Sequence, residues 1–142
     1  MRYYLDTNIL VFMVLNKRDD ISNDVRAMLA DYGNSFLTST CCMSELVHLV
    51  QIGKFKMPKG ADMRKEAETA MKTIAEYGVQ VIPVTMKHID TLAVFPLFDD
   101  HRDPNDRLII SQAISDRIPL ISSDRKFSKY ERYGLEFIFN ER

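Results

Sequence analysis

Four acidic residues stand where short apolar strands end or helices open. Asp6 follows Tyr3-Tyr4-Leu5, and Glu45 lies early in a helical run after Phe36-Leu37-Thr38. Asp106 falls in the first turn of a late helix, and Asp124 follows Leu120-Ile121-Ser122. A parallel sheet would gather these ends at one edge, where the acids would crowd. Two carboxylates about 4 Å apart repel by roughly 4 kcal/mol at an effective dielectric of 20. Three or four together either hold protons near neutrality or bind a hard divalent cation. Oxygen donors without a Cys/His pattern favour Mg²⁺ or Mn²⁺ over Zn²⁺, as one ion or as a pair roughly 3.5–4 Å apart. Such ions activate water and steady phosphoryl oxygens.

Each acid taken alone has a plainer role. Asp6 can cap a helix, and Glu45 can offset a helix dipole by a few tenths to about 1 kcal/mol. In His101-Arg102-Asp103-Pro104-Asn105-Asp106-Arg107, Asp103 reads as the N-cap, Pro104 as the first helical residue and Asp106 as the ligand. Asn8 is a second candidate cap, and Thr7 can bond a carboxylate or the backbone. His48, one turn after Glu45, reads as a packing or surface residue, and His48, His88 and His101 are too scattered for a zinc pattern. It is the company the acids keep that favours a site.

The elements that must position them are short. Strands are expected over Arg2–Leu5, Ser35–Leu37, Val79–Val84, Pro119–Ser122 and Glu136–Phe139, without the alternation of a sheet wet on one face. Helices are expected over Asn8–Leu15, Ser22–Tyr32, Thr40–Ile52, Asp62–Tyr77, Met86–Val94 and Asn105–Asp116, several stopped by glycine or proline. Strands alternating with helices specify an α/β domain with a mainly parallel sheet, whose ligands collect beyond the strands' carboxyl ends. The apolar residues Ile9, Phe12 and Met13 suit either an interface or, preferably, the core.

A chain of 142 residues, 46% hydrophobic and 27% charged, fits one domain, 1–142, with a single core. No apolar run reaches the length of a membrane span and no signal-peptide layout opens the chain, so a cytoplasmic location is expected. The adjacent Cys41 and Cys42 point about 100° apart on a helix and are expected to stay reduced. Net charge is −1, but Lys54, Lys56, Lys59, Arg64 and Lys65 form one basic cluster, and Arg125, Lys126, Lys129 and Arg132 another. Nucleic-acid contact and a solvated charged loop explain either cluster equally well.

The ordered set of motifs resembles the PIN-domain ribonucleases, particularly the toxin component of VapBC toxin–antitoxin modules, over nearly the whole chain. Leu5-Asp6-Thr7-Asn8 resembles the opening motif, and Ser39 through Ser44-Glu45-Leu46 the second. Gly53-Lys54-Phe55-Lys56-Met57-Pro58 is similar to a stretch of one toxin-like subfamily. His101 through Ile110 resembles that subfamily's third motif and Ser123-Asp124 the fourth. Asn105 departs from the more usual aromatic residue, and Ser123 stands where Thr is usual.

The resemblance implies a PIN-like three-layer α/β/α sandwich around a five-stranded, mainly parallel sheet. It implies a Mg²⁺- or Mn²⁺-dependent endoribonuclease whose metal is held by Asp6, Glu45, Asp106 and Asp124, directly or through water. In-line hydrolysis would leave 5′-phosphate and 3′-hydroxyl ends. Asn8, Asp103 and Ser123 would orient the acids, and Lys54, Lys56 and Arg107 would contact RNA phosphates. A cognate antitoxin in the cleft and a homodimer are implied as partners. The competing class is a non-catalytic PIN-like RNA- or protein-binding module. A receiver domain or a haloacid-dehalogenase-type phosphatase would need a second acid near Asp6, where Asn8 stands.

Overall fold

In the computed structural model, residues 1–54 and 63–142 are described. Five strands form one sheet: β1 (Arg2–Leu5), β2 (Ser35–Ser39), β3 (Gln80–Ile82), β4 (Leu120–Ser122) and β5 (Phe137–Phe139). Their spatial order is β3-β2-β1-β4-β5, and every pairing is parallel. Six α-helices connect them: α1 (Thr7–Val14), α2 (Asn23–Ala30), α3 (Thr40–Gln51), α4 (Met63–Glu76), α5 (Met86–Ala93) and α6 (Pro104–Asp116). Two 3₁₀ segments, Arg18–Asp20 and Arg125–Tyr133, complete the set.

The strand order explains where a site belongs. The chain runs from β1 outward to β2 and β3, then returns to lay β4 on the other side of β1. Right-handed crossovers put α1 to α4 on one face and α5 and α6 on the other. Contacts among α1, α3 and α4, and between α5 and α6, follow that division, while α3 also meets α6. The winding direction therefore reverses between β1 and β4, which opens a crevice at their carboxyl ends.

The buried strands and helix faces supply the core. Tyr4, Leu5, Ile9, Leu10, Leu46, Ile109, Ile110, Leu120, Ile121 and Phe127 are fully buried. Each large apolar side chain removed from water contributes about 1.5–3 kcal/mol, and this offsets the cost of burying polar groups beside them. Phe12 and Met13 are buried in the same core, the preferred fate for them. Cys41 and Cys42 are free and buried. No helix among the described residues is long and apolar enough to cross a membrane.

The elements differ from expectation mostly at their ends. Helix α1 begins one residue early because Asp6, not Asn8, is its N-cap, accepting a hydrogen bond from the Thr7 amide. Strand β2 runs two residues further, to Ser39, whose hydroxyl then caps α3. Strand β3 spans only Gln80–Ile82 at the sheet edge, where it has one neighbour. The 3₁₀ segment Arg125–Tyr133 was not anticipated, since its two buried residues, Phe127 and Tyr130, are too few to mark a helical period.

A carboxylate cleft at the switch point

Asp6 sits directly beyond β1 and is 3% exposed. Its Oδ1 accepts from the Thr7 amide at 2.8 Å, and its Oδ2 accepts from the Ser122 hydroxyl at 2.7 Å and the Asn8 amide at 3.2 Å. Burial pushes its carboxyl up to about 7; the Ser122 and Thr7 hydrogen bonds oppose this, and the charges of Glu45 and Asp124 add to it. A rise of that size corresponds to roughly 4 kcal/mol against the ionised form. The fold thus keeps a costly group in place with three donors.

Glu45, one turn into α3, is half-buried and accepts from the Thr7 hydroxyl at 3.0 Å. Thr7 therefore links two acids, Asp6 through its amide and Glu45 through its side chain. Burial raises the Glu45 carboxyl and the Thr7 bond counters it, while the nearby Asp103 charge raises it further. Asp106 lies in the first turn of α6, half-buried, and is pushed up to about 8 by burial and then by the charges of Asp6, Asp103, Glu45 and Asp124. Asp124 follows β4, caps the 3₁₀ segment through the Lys126 amide at 2.9 Å, and donates its own amide to Ser122 Oγ at 3.1 Å.

The four acids named by the sequence thus lie close enough that Asp6 feels the charges of Glu45 and Asp124, and Asp106 those of Asp6, Glu45 and Asp124. Asp103 caps α6, accepting from the amides of Asn105 and Asp106 at 2.9 and 3.1 Å, so it acts on Asp106 through the backbone. Asn8 bridges Asp6 and Ser122. Ser123 is one step removed from the acids: its amide donates to Asn8 Oδ1 at 3.2 Å and its hydroxyl accepts from Asn140 at 2.7 Å. Asn140 is fully buried beyond β5 and also ties down Asp20 and Ser22. The hydroxyl that touches Asp6 belongs to Ser122, the last residue of β4, and not to Ser123.

The expected phosphate contacts divide differently. Lys54 is exposed just past α3. Lys56 lies outside the described residues, as does most of the stretch that contains it. Arg107 is half-buried, and its Nη2 donates to the carbonyls of Pro96 at 3.2 Å and Phe95 at 3.5 Å, bracing the turn before α6. Basic residues line the rim instead. A cleft of about 620 Å³ beside Asp124 is bounded by Asn8, Ser123, Arg125, Lys126 and Arg142 among others.

Two site residues escaped the sequence reading. Ser122 was legible only as the end of a strand. His101, 4% exposed, places Nε2 3.2 Å from Asp106 Oδ2, and one donor atom each from His101, Asp106 and Asp124 lie within 4.8 Å of one another. The donor set suits a hard divalent cation. Hard oxygens predominate, and the raised carboxyls of Asp6, Glu45 and Asp106 would lose their electrostatic penalty beside positive charge.

Comparison with known proteins places this geometry. No match is found among curated proteins. Among solved structures, VapBC2 from Rickettsia felis, bound to a promoter DNA fragment, aligns with 99% of this chain and 100% of its own at 19% identity and a TM-score of 0.70. VapBC-1 from nontypeable Haemophilus influenzae covers 98% of each chain at 18% identity and a TM-score of 0.67. DNA-bound VapBC from Salmonella typhimurium covers 98% of each at 14% identity and 0.68. These likenesses establish the fold. The family model for the PIN domain matches residues 3–133, which include all four acids. The chain belongs to the PIN domain family.

Proposed function

We propose that the protein is a Mg²⁺- or Mn²⁺-dependent endoribonuclease, the toxin of a VapBC-type toxin–antitoxin pair. The observation that carries this reading is the convergence of Asp6, Glu45, Asp106 and Asp124 at the switch point of a PIN domain, with three of the four carboxyls raised above their ordinary range. A scaffold that only bound a partner would gain nothing from burying mutually repelling acids. The solved toxin–antitoxin complexes of the same fold support the choice of partner, a small antitoxin seated over the cleft.

In this reading the four acids hold one or two cations, directly or through water. The bound cation lowers the pKa of water and offsets charge on the phosphoryl oxygens. The chain's own groups do the rest. Ser122, Asn8 and Thr7 keep Asp6 and Glu45 oriented in the deprotonated state. Lys54 and Lys56, with Arg125 and Lys126 on the rim, meet RNA phosphates, which fixes the strand without reading its sequence. The protein works in the cytoplasm, as a homodimer.

The test is cleavage of structured RNA with Mg²⁺ or Mn²⁺ by the intact chain and by Asp6→Asn. A loss of orders of magnitude is expected in the variant. Equal cleavage by the two proteins would sink the assignment. Absence of Mn²⁺ binding at millimolar concentration would favour a non-catalytic module.

A further inference from the structure

His101 lies beside Asp106 in the cleft, and both of its ring nitrogens are engaged. It precedes α6 and bridges to Phe98 across a tight turn. The ring lies edge-on against Phe127 and Tyr130, with centroids 5.7 and 5.4 Å away. Nδ1 is 2.8 Å from the Tyr130 hydroxyl, and Nε2 is 3.2 Å from Asp106 Oδ2. Tyr130 is fully buried, and Phe95 and Phe98 pack edge-on against its ring.

The proton positions follow from the partners. Of the charged groups around the Tyr130 hydroxyl, Arg107, Asp106 and Lys129, the one within hydrogen-bonding reach is the Arg107 guanidinium, a group that only donates. The phenol proton therefore turns to His101 Nδ1, and the imidazole proton resides on Nε2. With a cation holding Asp106 ionised, a bare Nε2 lone pair facing its carboxylate oxygen at 3.2 Å would be repulsive, so the Asp106 side agrees. We infer that His101 is a positioning residue, held by Tyr130 as the Nε2–H tautomer and donating to Asp106 Oδ2, which leaves Oδ1 for the cation. This rests on the metal-site reading above. Nε2 is occupied by that donation, so His101 is not itself a ligand, although its distance from Asp106 and Asp124 would suit one. Tyr130, 24 residues from Asp106 in sequence, thereby acts on the cleft without touching it.

The experiment uses the full chain. Mn²⁺ affinity is read by electron paramagnetic resonance in the wild type, His101→Ala, His101→Gln and Tyr130→Phe. His101→Ala is expected to weaken binding about 10–100-fold. His101→Gln, whose amide can donate from a similar place, recovers part of the loss. Tyr130→Phe, nearly isosteric, weakens binding less than His101→Ala does. Histidine ¹⁵N shifts of the Mg²⁺-loaded protein are expected to show the Nε2–H form, with a mixture of tautomers in Tyr130→Phe. A residue that merely packs would lower thermal stability and leave affinity and tautomer unmoved. Unchanged affinity in His101→Ala and Tyr130→Phe beside a wild type that binds overturns the positioning role alone. An Nδ1–H tautomer, or nitrogen hyperfine coupling from His101 to bound Mn²⁺, overturns it as well. A wild type that binds no Mn²⁺ overturns the metal reading and this inference with it.

Discussion

At each end of helix α6 an aspartate of the helix is linked to a histidine and a tyrosine from other elements, and the two sets behave oppositely. At its start, Asp106 meets His101, which meets Tyr130. At its end, Asp116 accepts from Tyr4 Oη at 2.6 Å on Oδ2 and pairs with His88 Nε2 at 2.9 Å on Oδ1. His88 Nδ1 in turn accepts the Thr85 amide at 3.0 Å, which places the ring proton on Nε2. Each Asp116 oxygen therefore has its own donor. Burial and the Asp116 carboxylate push the Tyr4 phenol well above its ordinary range, so it stays a donor. Among the described residues Asp106 has one side-chain donor, His101, and four acidic neighbours, and its carboxyl is raised to about 8. The same three residue types thus make a satisfied strut at one end and a deficit of positive charge at the other. At the two ends of α6, the strut and the cleft differ in how many donors the aspartate meets and how many acids surround it.

The largest contrast should appear in activity. Asp106→Asn, like Asp6→Asn, is expected to abolish RNA cleavage by orders of magnitude, while Asp116→Asn leaves the turnover of the folded protein within a few-fold. Steady-state cleavage assays would break the comparison if the two ends of α6 proved equally important. Stability should show the reverse. Asp116→Asn puts an amide nitrogen against a donor and should cost about 1–3 kcal/mol in urea unfolding. Metal-free Asp106→Asn at pH 8 should cost nothing or stabilise, because it removes a penalised charge.

The pH dependence sharpens the same point. Asp6 and Asp106 hold their protons to about 7 and about 8 in the folded chain, against ordinary values near 4 when unfolded. Over that window the folded state binds more protons, so these groups make metal-free stability fall as pH rises from about 4 to about 8. Mg²⁺ should raise the melting temperature more at pH 8 than at pH 5, which differential scanning fluorimetry can check. The smallest contrast concerns neighbouring hydroxyls. Ser122→Ala should weaken Mn²⁺ binding about tenfold, and Ser123→Ala far less, since only Ser122 touches Asp6.

The strand and helix alternation was legible because buried parallel strands read as short apolar runs between amphipathic ones. The four acids were legible for a related reason: each follows a strand or opens a helix within a few residues. What escaped depends on phase and on distance along the chain. Ser122 and Ser123 are adjacent, and which one meets Asp6 turns on a single residue of register. Tyr130 reaches His101 from an aperiodic 3₁₀ segment that carries no apolar repeat. Arg107 also donates from Nη2 to two carbonyls of the turn before α6. None of these pairings leaves a local trace.

Asn140 has a consequence for anyone who handles this domain as a module. The family boundary closes at residue 133, before β5 begins. Beyond it, the Asn140 side chain clasps Asp20, Ser22 and Ser123, and Ser123 in turn holds Asn8 beside Asp6. A fusion spliced at the family boundary would keep every acid and lose the clasp behind them. The practical unit for grafting or display therefore runs at least through Asn140.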